Sequence, residues 1–299
     1  MPIFVPTLDC RGRRLALDRT RICGILNITP DSFSDGGVFA DTASAIAYGL
    51  ALIEQGADLL DIGGESTRPG AVAISAEEEI ARVVPVIEAL ATQTHVPISI
   101  DTSKPEVMRA AVAAGAGLIN DVYALRRPGA LDAAAELGAA ICLMHMQGEP
   151  QTMQENPQYD DVVGAVHRFL TERLFACQLA GIDKKKLLVD VGFGFGKTLE
   201  HNLALLRQLE KFKTLEVPLL VGLSRKSIIT TLTGSSPTER VFGSVAAALI
   251  AAQRGAAIVR VHDVAATRDA LAIWHAVDSG ISAAAKPKPA ATSRLWDDD

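Results

Sequence analysis

The chain has 299 residues, 48% hydrophobic and 21% charged, with a formal net charge of -6. This length and apolar share suit a large core, either one α/β barrel or two ordinary domains, and the acidic balance argues against a nucleic-acid binder, whose usual footprint is a basic patch. Four cysteines, at positions 10, 23, 142 and 177, form no CxxC pair and have no metal-ligand spacing, and no apolar run reaches membrane-spanning length. The sequence therefore predicts reduced thiols in a cytoplasmic protein with no membrane segment; Arg11, Arg13 and Arg14 are not followed by a signal-peptide core.

Residues 1–20 alternate weakly around the turn Asp9 to Gly12, which predicts a hairpin closing one end of the fold. From Ile22 onward an apolar strand, a polar loop and a helical pattern recur. The expected strands are Ile22 to Asn27, Leu59 to Ile62, Ile98 to Asp101, Leu118 to Asp121, Ala140 to His145, Leu187 to Asp190, Leu219 to Gly222 and Ile258 to His262. Gly56, Gly115, Gly138 and Gly255 stand where helices end in a left-handed residue before the next strand. Helix starts are expected after Asp41 and Thr42, at the capping-box spacing of Ser75 and Glu78, and at Pro105. Eight strand-helix units predict a single-domain α/β fold, a (β/α)8 TIM barrel over residues 21–281, with the hairpin over 1–20 before it and a disordered Ala-, Lys- and Pro-rich tail over 282–299.

Ligands of such a barrel bind at the carboxyl ends of its strands, and these ends are polar here. The first runs into Gly24 to Gly37 (GILNITPDSFSDGG) and the second into Asp61 to Gly70 (DIGGESTRPG), whose Ser, Thr and Arg suit phosphate oxygens. Asp101, Asn120 and Asp190 each close a strand. A single Asp there is better explained as a helix cap or an Asx-turn, but three such groups make an acceptor-rich wall for a flat heterocycle bearing N–H donors. Gly192 to Lys197 (GFGFGK) only superficially resembles a dinucleotide fingerprint, since it follows the sixth strand. Strand alternation puts Arg260 and His262 on one face, where a bound phosphate, or an internal salt bridge to a neighbouring Asp, would compensate the buried charge. His145 reads as a structural histidine, and Met144 and Met146 as barrel packing.

Together these stretches, with Ile119 to Asp121, Ser224 to Lys226 and Arg260 to His262, resemble the dihydropteroate synthase family from about Gly24 to Val264. The resemblance implies a folate-pathway transferase that joins a pterin diphosphate to 4-aminobenzoate, with Mg2+ as cofactor, a homodimeric state through the later helices, and inhibition by sulfonamides. It implies that Asn27 binds the magnesium and that Asp101, Asn120 and Asp190 read the pterin edge. Lys226 would bond the ring's carbonyl and N5 side, and Arg260 and His262 the diphosphate. Thr67, with Arg68 beside it, would lie in the second loop near the substrate, Phe195 and Ser227 would help form the aminobenzoate pocket, and Met144 and Gly194 would line the substrate site. One departure is visible: the family usually has Asp-Pro-Gly where this chain has Asp190, Val191 and Gly192. The rival readings are a methyltetrahydrofolate-binding barrel of corrinoid methyltransferases, which handles no diphosphate, and a noncatalytic paralogue, which should lack one of the residues just named.

Overall fold

A computed structural model of the chain describes residues 6–29, 38–66, 72–149, 152–236 and 239–279. The predicted tail and the two candidates Thr67 and Arg68 lie outside the described residues. An antiparallel hairpin, β1 (Thr7–Cys10) and β2 (Arg13–Ala16), comes first. Then follow β3 (Arg21–Asn27), α1 (Val38–Gln55), β4 (Leu59–Gly63), α2 (Ala76–Gln93), β5 (Ile98–Asp101), α3 (Pro105–Ala113), β6 (Leu118–Asp121) and α4 (Ala130–Leu137). The second half contains β7 (Ala140–Met144), α5 (Val162–Leu179), β8 (Leu187–Asp190), α6 (Leu199–Arg207), β9 (Leu219–Val221), α7 (Ser227–Thr233), α8 (Val241–Gln253), β10 (Ile258–Val261) and α9 (Val264–Ser279). Strands β3 to β10 are parallel neighbours in chain order, and β10 pairs with β3 to close an eight-stranded barrel.

All eight expected strands form, three with the expected bounds and five shifted by a single residue at one end. Strand β10 stops at Val261 because the His262 N–H turns to Ser224 Oγ, 3.1 Å away, and leaves the ladder. Helix α1 begins at Val38, ahead of the expected start at Asp41 and Thr42, and the β9 to β10 connection holds two helices, α7 and α8. Elsewhere local chemistry sets the boundaries. Ser75 Oγ accepts from the Glu78 N–H at 3.1 Å at the start of α2, and Pro105 opens α3 where its missing N–H costs nothing. The glycines at 56, 115, 138 and 255 all have positive φ, the conformation that stops a helix cheaply.

Alternation along the strands divides the core in two. Outward residues, among them Leu26, Ile62, Ile100, Ile119, Leu143, Val189, Val221 and Val259, pack under the helices. Inward residues Cys23, Leu59, Leu118, Ala140, Cys142, Leu188, Leu220 and Ile258 fill the barrel's amino-terminal end together with Leu8, Cys10 and Leu15 of the hairpin. The hairpin is thus a plug. A tight turn keeps it compact: Arg11 and Gly12 have φ of 54° and 88°, and Asp9 Oδ1 accepts from the Gly12 N–H at 2.7 Å. Arg13 donates to the carbonyls of Ala91 and Val96 at 2.6 and 2.9 Å, and Arg11 to that of Val112 at 3.1 Å, so the hairpin's cations sit at the negative ends of α2 and α3.

Candidate active site

Two residues beyond each inward apolar residue of the plug layer, the same face of several strands turns polar. Leu59 is followed by Asp61, Leu118 by Asn120, Leu188 by Asp190 and Ile258 by Arg260. The period of two therefore delivers these side chains to one layer at the carboxyl-terminal mouth, closed below by the apolar layer. Pairing aligns the next layer across neighbours: Asn27 lies opposite Gly63, Gly63 opposite Asp101, and Asp101 opposite Asn120. A side chain at Gly63 would meet Asp101 Cβ at 3.5 Å and Asn27 Oδ1 at 3.7 Å. Glycine there leaves the space that Asn27 and Asp101 face in common.

Arg260 is the centre of the layer. Its Nε donates to Asp61 Oδ2 at 2.5 Å and its Nη2 to Asp101 Oδ2 at 2.8 Å, while Asn120 Nδ2 donates to the same Asp61 oxygen at 3.1 Å. The internal salt bridge that the sequence allows is present, and it involves both acids. A guanidinium has five N–H donors, so Arg260 retains others for a ligand. Burial works against its charge, but Asp61 and Asp101 more than offset this and raise its pKa. Burial raises the Asp101 carboxyl; Arg260 opposes the shift and Asp61 adds to it, leaving Asp101 above the usual carboxylate range.

On the other side of the mouth, Asp190 Oδ1 accepts from the Gly192 N–H at 2.8 Å. A Cβ at Gly222 would lie 3.8 Å from Arg260 Cβ and 4.0 Å from Asp190 Oδ2, so that acid oxygen and Arg260 flank one glycine-lined gap. Burial raises the Asp190 carboxyl, and Lys226 opposes the shift. Lys226 itself is lowered by burial to about 8, with Asp190 pulling the other way. Its Nζ donates to the Phe193 carbonyl and lies 4.5 Å from the centroid of the Phe195 ring, a cation–π distance. Ser227 follows as the first residue of α7 and is exposed.

The Gly192 to Gly196 turn packs directly on the end of β7. Any side chain at Gly192 would come within 1.9 Å of the His145 carbonyl oxygen, and one at Gly196 within 2.5 Å of that of Gln147. Lys197 ties the turn down: its buried Nζ donates to the carbonyls of Gly192 and Phe195 at 2.8 and 2.9 Å and lies 3.0 Å from His145 Nδ1. His145 packs edge-on against Phe169, and burial, with Lys197 and Arg126 adding, drives it down to about 2. It is a neutral acceptor, as a structural histidine should be. Val191, in the place of the family's usual proline, is fully buried and packs in the outer core. Met144 is inward and buried in a small cluster with Val122, Tyr123, Met146 and Met153, with half-buried Phe195 against it. Gly194, with a φ of 78°, faces Lys226: a Cβ there would lie 3.2 Å from Lys226 Cδ.

The structure thus brings Asp101, Asn120, Asp190, Lys226, Arg260 and Met144 to one mouth, with Asn27, Gly194 and Phe195 beside them. His262 is set to the side, where its Nδ1 lies 3.0 Å from Ser224 Oγ. Two residues with clear structural parts escape a reading of the sequence. Asp61 stands at the head of a polar, glycine-rich stretch, yet it is the third residue of β4, on its inward face; the two-residue offset from Leu59 is the signal. Lys197 gives no signal, because its partner His145 comes from another strand.

Among the described residues no group of three or more His, Cys, Asp or Glu is placed to hold a metal. Magnesium is usually held by one or two protein oxygens together with substrate phosphates, and an amide oxygen such as Asn27 Oδ1, facing the same space as Asp101, fits that donor set.

Residues 23–262 match the family model described as pterin binding enzyme. The chain is 53% identical over 269 residues to the dihydropteroate synthase of Escherichia coli strain K12, spanning 90% of this chain and 95% of that protein. It is 50% identical over 269 residues to the one from Haemophilus influenzae, spanning 90% and 98%. A solved structure of the Xanthomonas albilineans dihydropteroate synthase with 4-aminobenzoic acid superposes with a TM-score of 0.88 at 62% identity, covering 92% of this chain and 99% of that one. The same enzyme in complex with 7,8-dihydropteroate gives 0.84 at 59% identity, over 92% and 99%. A Yersinia pestis dihydropteroate synthase with a sulfonamide drug gives 0.88 at 52% identity, over 91% and 99%.

Proposed function

The chain belongs to the dihydropteroate synthase family, transferases of folate biosynthesis, and from that premise we propose how its barrel mouth condenses 6-hydroxymethyl-7,8-dihydropterin diphosphate with 4-aminobenzoate to 7,8-dihydropteroate and diphosphate. The observation that carries the proposal is the convergence of Asp101, Asn120, Asp190, Lys226 and Arg260 on one mouth. Acceptors face one another across the mouth, and cations stand between them.

A pterin offers a row of N–H donors along one edge and a carbonyl beside them. Asn120, Asp101 and Asp190 supply acceptors for that edge, and Lys226 supplies a donor for the carbonyl and N5 side. In the reaction the bond from the exocyclic CH2 to oxygen breaks, the electron pair leaves with diphosphate, the aminobenzoate nitrogen bonds to the freed carbon, and that nitrogen then loses a proton to solvent. The charge that grows on diphosphate is gathered by the unused N–H groups of Arg260 and by His262, a preorganised stabilisation of the kind that usually dominates such sites. Asn27 would hold a magnesium ion, which would supply further neutralisation of the departing diphosphate. Phe195, Ser227, Thr67 and Arg68 serve the aminobenzoate, with Met144 and Gly194 lining the pocket; a sulfonamide would compete there.

A homodimer through the later helices is supported by Phe242, Ile250, Ile273 and Val277, which leave apolar surface exposed on α8 and α9. Four buried free thiols support a reducing compartment such as the cytoplasm, and no helix among the described residues is long and apolar enough to cross a membrane.

The assay is diphosphate release from the dihydropterin diphosphate, with and without aminobenzoate and magnesium. Release coupled to dihydropteroate formation is expected. Failure to form dihydropteroate with both substrates and magnesium present would remove the proposed reaction.

A further inference from the structure

We propose that Asp61 is a positioning residue for this reaction: one of its oxygens fixes both the guanidinium that faces the diphosphate and the amide that reads the pterin, so that the two halves of the site are set by one acid. This rests on the reading given under Proposed function. Asp61 is 1% exposed, and its Oδ2 accepts from Arg260 Nε at 2.5 Å and from Asn120 Nδ2 at 3.1 Å.

Each bond has a directional consequence. An Asn side chain has a donor end and an acceptor end; with Nδ2 committed to Asp61, Asn120 must turn Oδ1 elsewhere, which suits a ligand N–H. An Arg held at Nε by Asp61 keeps its guanidinium plane fixed while Nη1 and the second hydrogen of Nη2 stay available. Asp101 is the more exposed of the two acids that Arg260 contacts, with 13% of its side chain open against 2% for Asp61. The bond to Asp101 is therefore the one a ligand reaches, and the bond to Asp61 is the one that persists.

The second oxygen, Asp61 Oδ1, is buried and has no hydrogen-bond partner among the described residues. An unmatched buried acceptor is costly, and folds keep such groups where function needs them. A residue that only stabilised the barrel would be better served by a fully bonded side chain.

Charge adds an independent readout. The titratable groups that interact with Asp101 include Arg260, Asp61, Glu79, Asp121, Lys226 and the neutral thiols of Cys23 and Cys142. Neutralising Asp61 leaves Arg260 to Asp101 alone, so Asp101 should ionise at lower pH.

The test is Asp61→Asn in the full-length enzyme, with kcat and KM for each substrate followed across pH. We expect kcat/KM for the pterin diphosphate to fall roughly 10- to 100-fold, the aminobenzoate KM to change less than about 2-fold, and the acidic limb of the profile to move to lower pH. Unchanged pterin kinetics, or an unmoved acidic limb, overturns the proposal. Should that variant fold poorly, the exchanged pair Asp61→Asn with Asn120→Asp decides. Once the amide at position 61 turns so that its oxygen faces Arg260 and its nitrogen faces the acid at 120, the pair should recover about 10-fold of what Asn120→Asp alone loses in pterin kcat/KM; no recovery overturns the role. Wild-type turnover reports on the proposed reaction, and calorimetric binding of 7,8-dihydropterin to wild type and variants reports on Asp61 even if turnover is absent.

Discussion

Of Lys226 and Arg260, Lys226 loses its charge the more readily, because burial brings it to about 8 whereas Arg260 is raised. The sign follows directly. If the protonated amine supports the pterin carbonyl, the competent fraction falls as pH rises through about 8, so kcat/KM for the pterin diphosphate should fall on the alkaline side with that midpoint. Lys226→Arg, which keeps its charge throughout, should move the limb to higher pH at some cost in rate, since the guanidinium is wider than the ammonium. An alkaline limb that does not respond to this substitution would take Lys226 out of the pterin site. The position of such residues is readable from sequence wherever an acid, amide or cation follows a branched apolar run at the strand's end, as at Asp101, Asn120, Asp190 and Arg260. It is not readable where identity depends on a partner from elsewhere: the Lys197 amine has meaning only beside His145 and the carbonyls it holds, and Asp61 shows its part only once Arg260 and Asn120 are in place.

At the scale of elements, the β4 to α2 connection is anchored at its foot from neighbouring strands and helices. Lys104, at the start of α3, lies 2.6 Å from the carboxylate of Glu79 on α2 and 3.0 Å from that of Glu65 after β4; Glu65 also accepts from the Ile74 N–H at 3.0 Å, and Arg82 donates to the Gly64 carbonyl at 2.8 Å. Glu79 is fully buried, and burial raises its carboxyl although Lys104 opposes the shift. Removing the cation from a buried acid of this kind costs about 3 kcal/mol, so Lys104→Met should be destabilised by that order in urea unfolding at pH 7.5. With its pKa further raised, Glu79 favours the folded state only where it is protonated; the deficit should therefore shrink as pH falls. Adding Glu79→Gln should restore much of the loss at pH 7.5, and a deficit unchanged by the second substitution would show that the pair is not what holds the connection. The sequence reveals this helix start through Pro105 but not the ion pair, because a charge on a helix's first turn is most often solvated. The same limit explains the two shifted boundaries. Helix α1 is already under way from Val38 when the chain reaches Asp41 and Thr42, and one long stretch between β9 and β10 folds as two helices because Gly234, at a φ of 72°, ends the first.

For the molecule as a whole, the barrel separates its stability from its chemistry along one axis. The carboxyl-terminal end carries charged groups that face one another at a cost in stability, and the amino-terminal end is filled by hairpin and strand side chains that are apolar and closely packed. Thiols at that end are inert in this arrangement, since burial lifts Cys10 to about 12 and raises Cys23 and Cys142 as well. Plug and barrel approach closely at Gly117, just before β6, where a Cβ would clash with the Cys10 carbonyl oxygen. That neighbour is backbone within a paired strand, so it has no rotamer through which to escape. Gly117→Ala should therefore displace the hairpin and cost about 1–3 kcal/mol, read as a lower melting temperature. At a temperature where the variant remains folded, kcat and both KM values should stay within about 2-fold of wild type, because the mouth lies at the opposite end of the strands. A variant that kept its melting temperature but lost turnover would show that the plug transmits to the site and that the two ends are not separable.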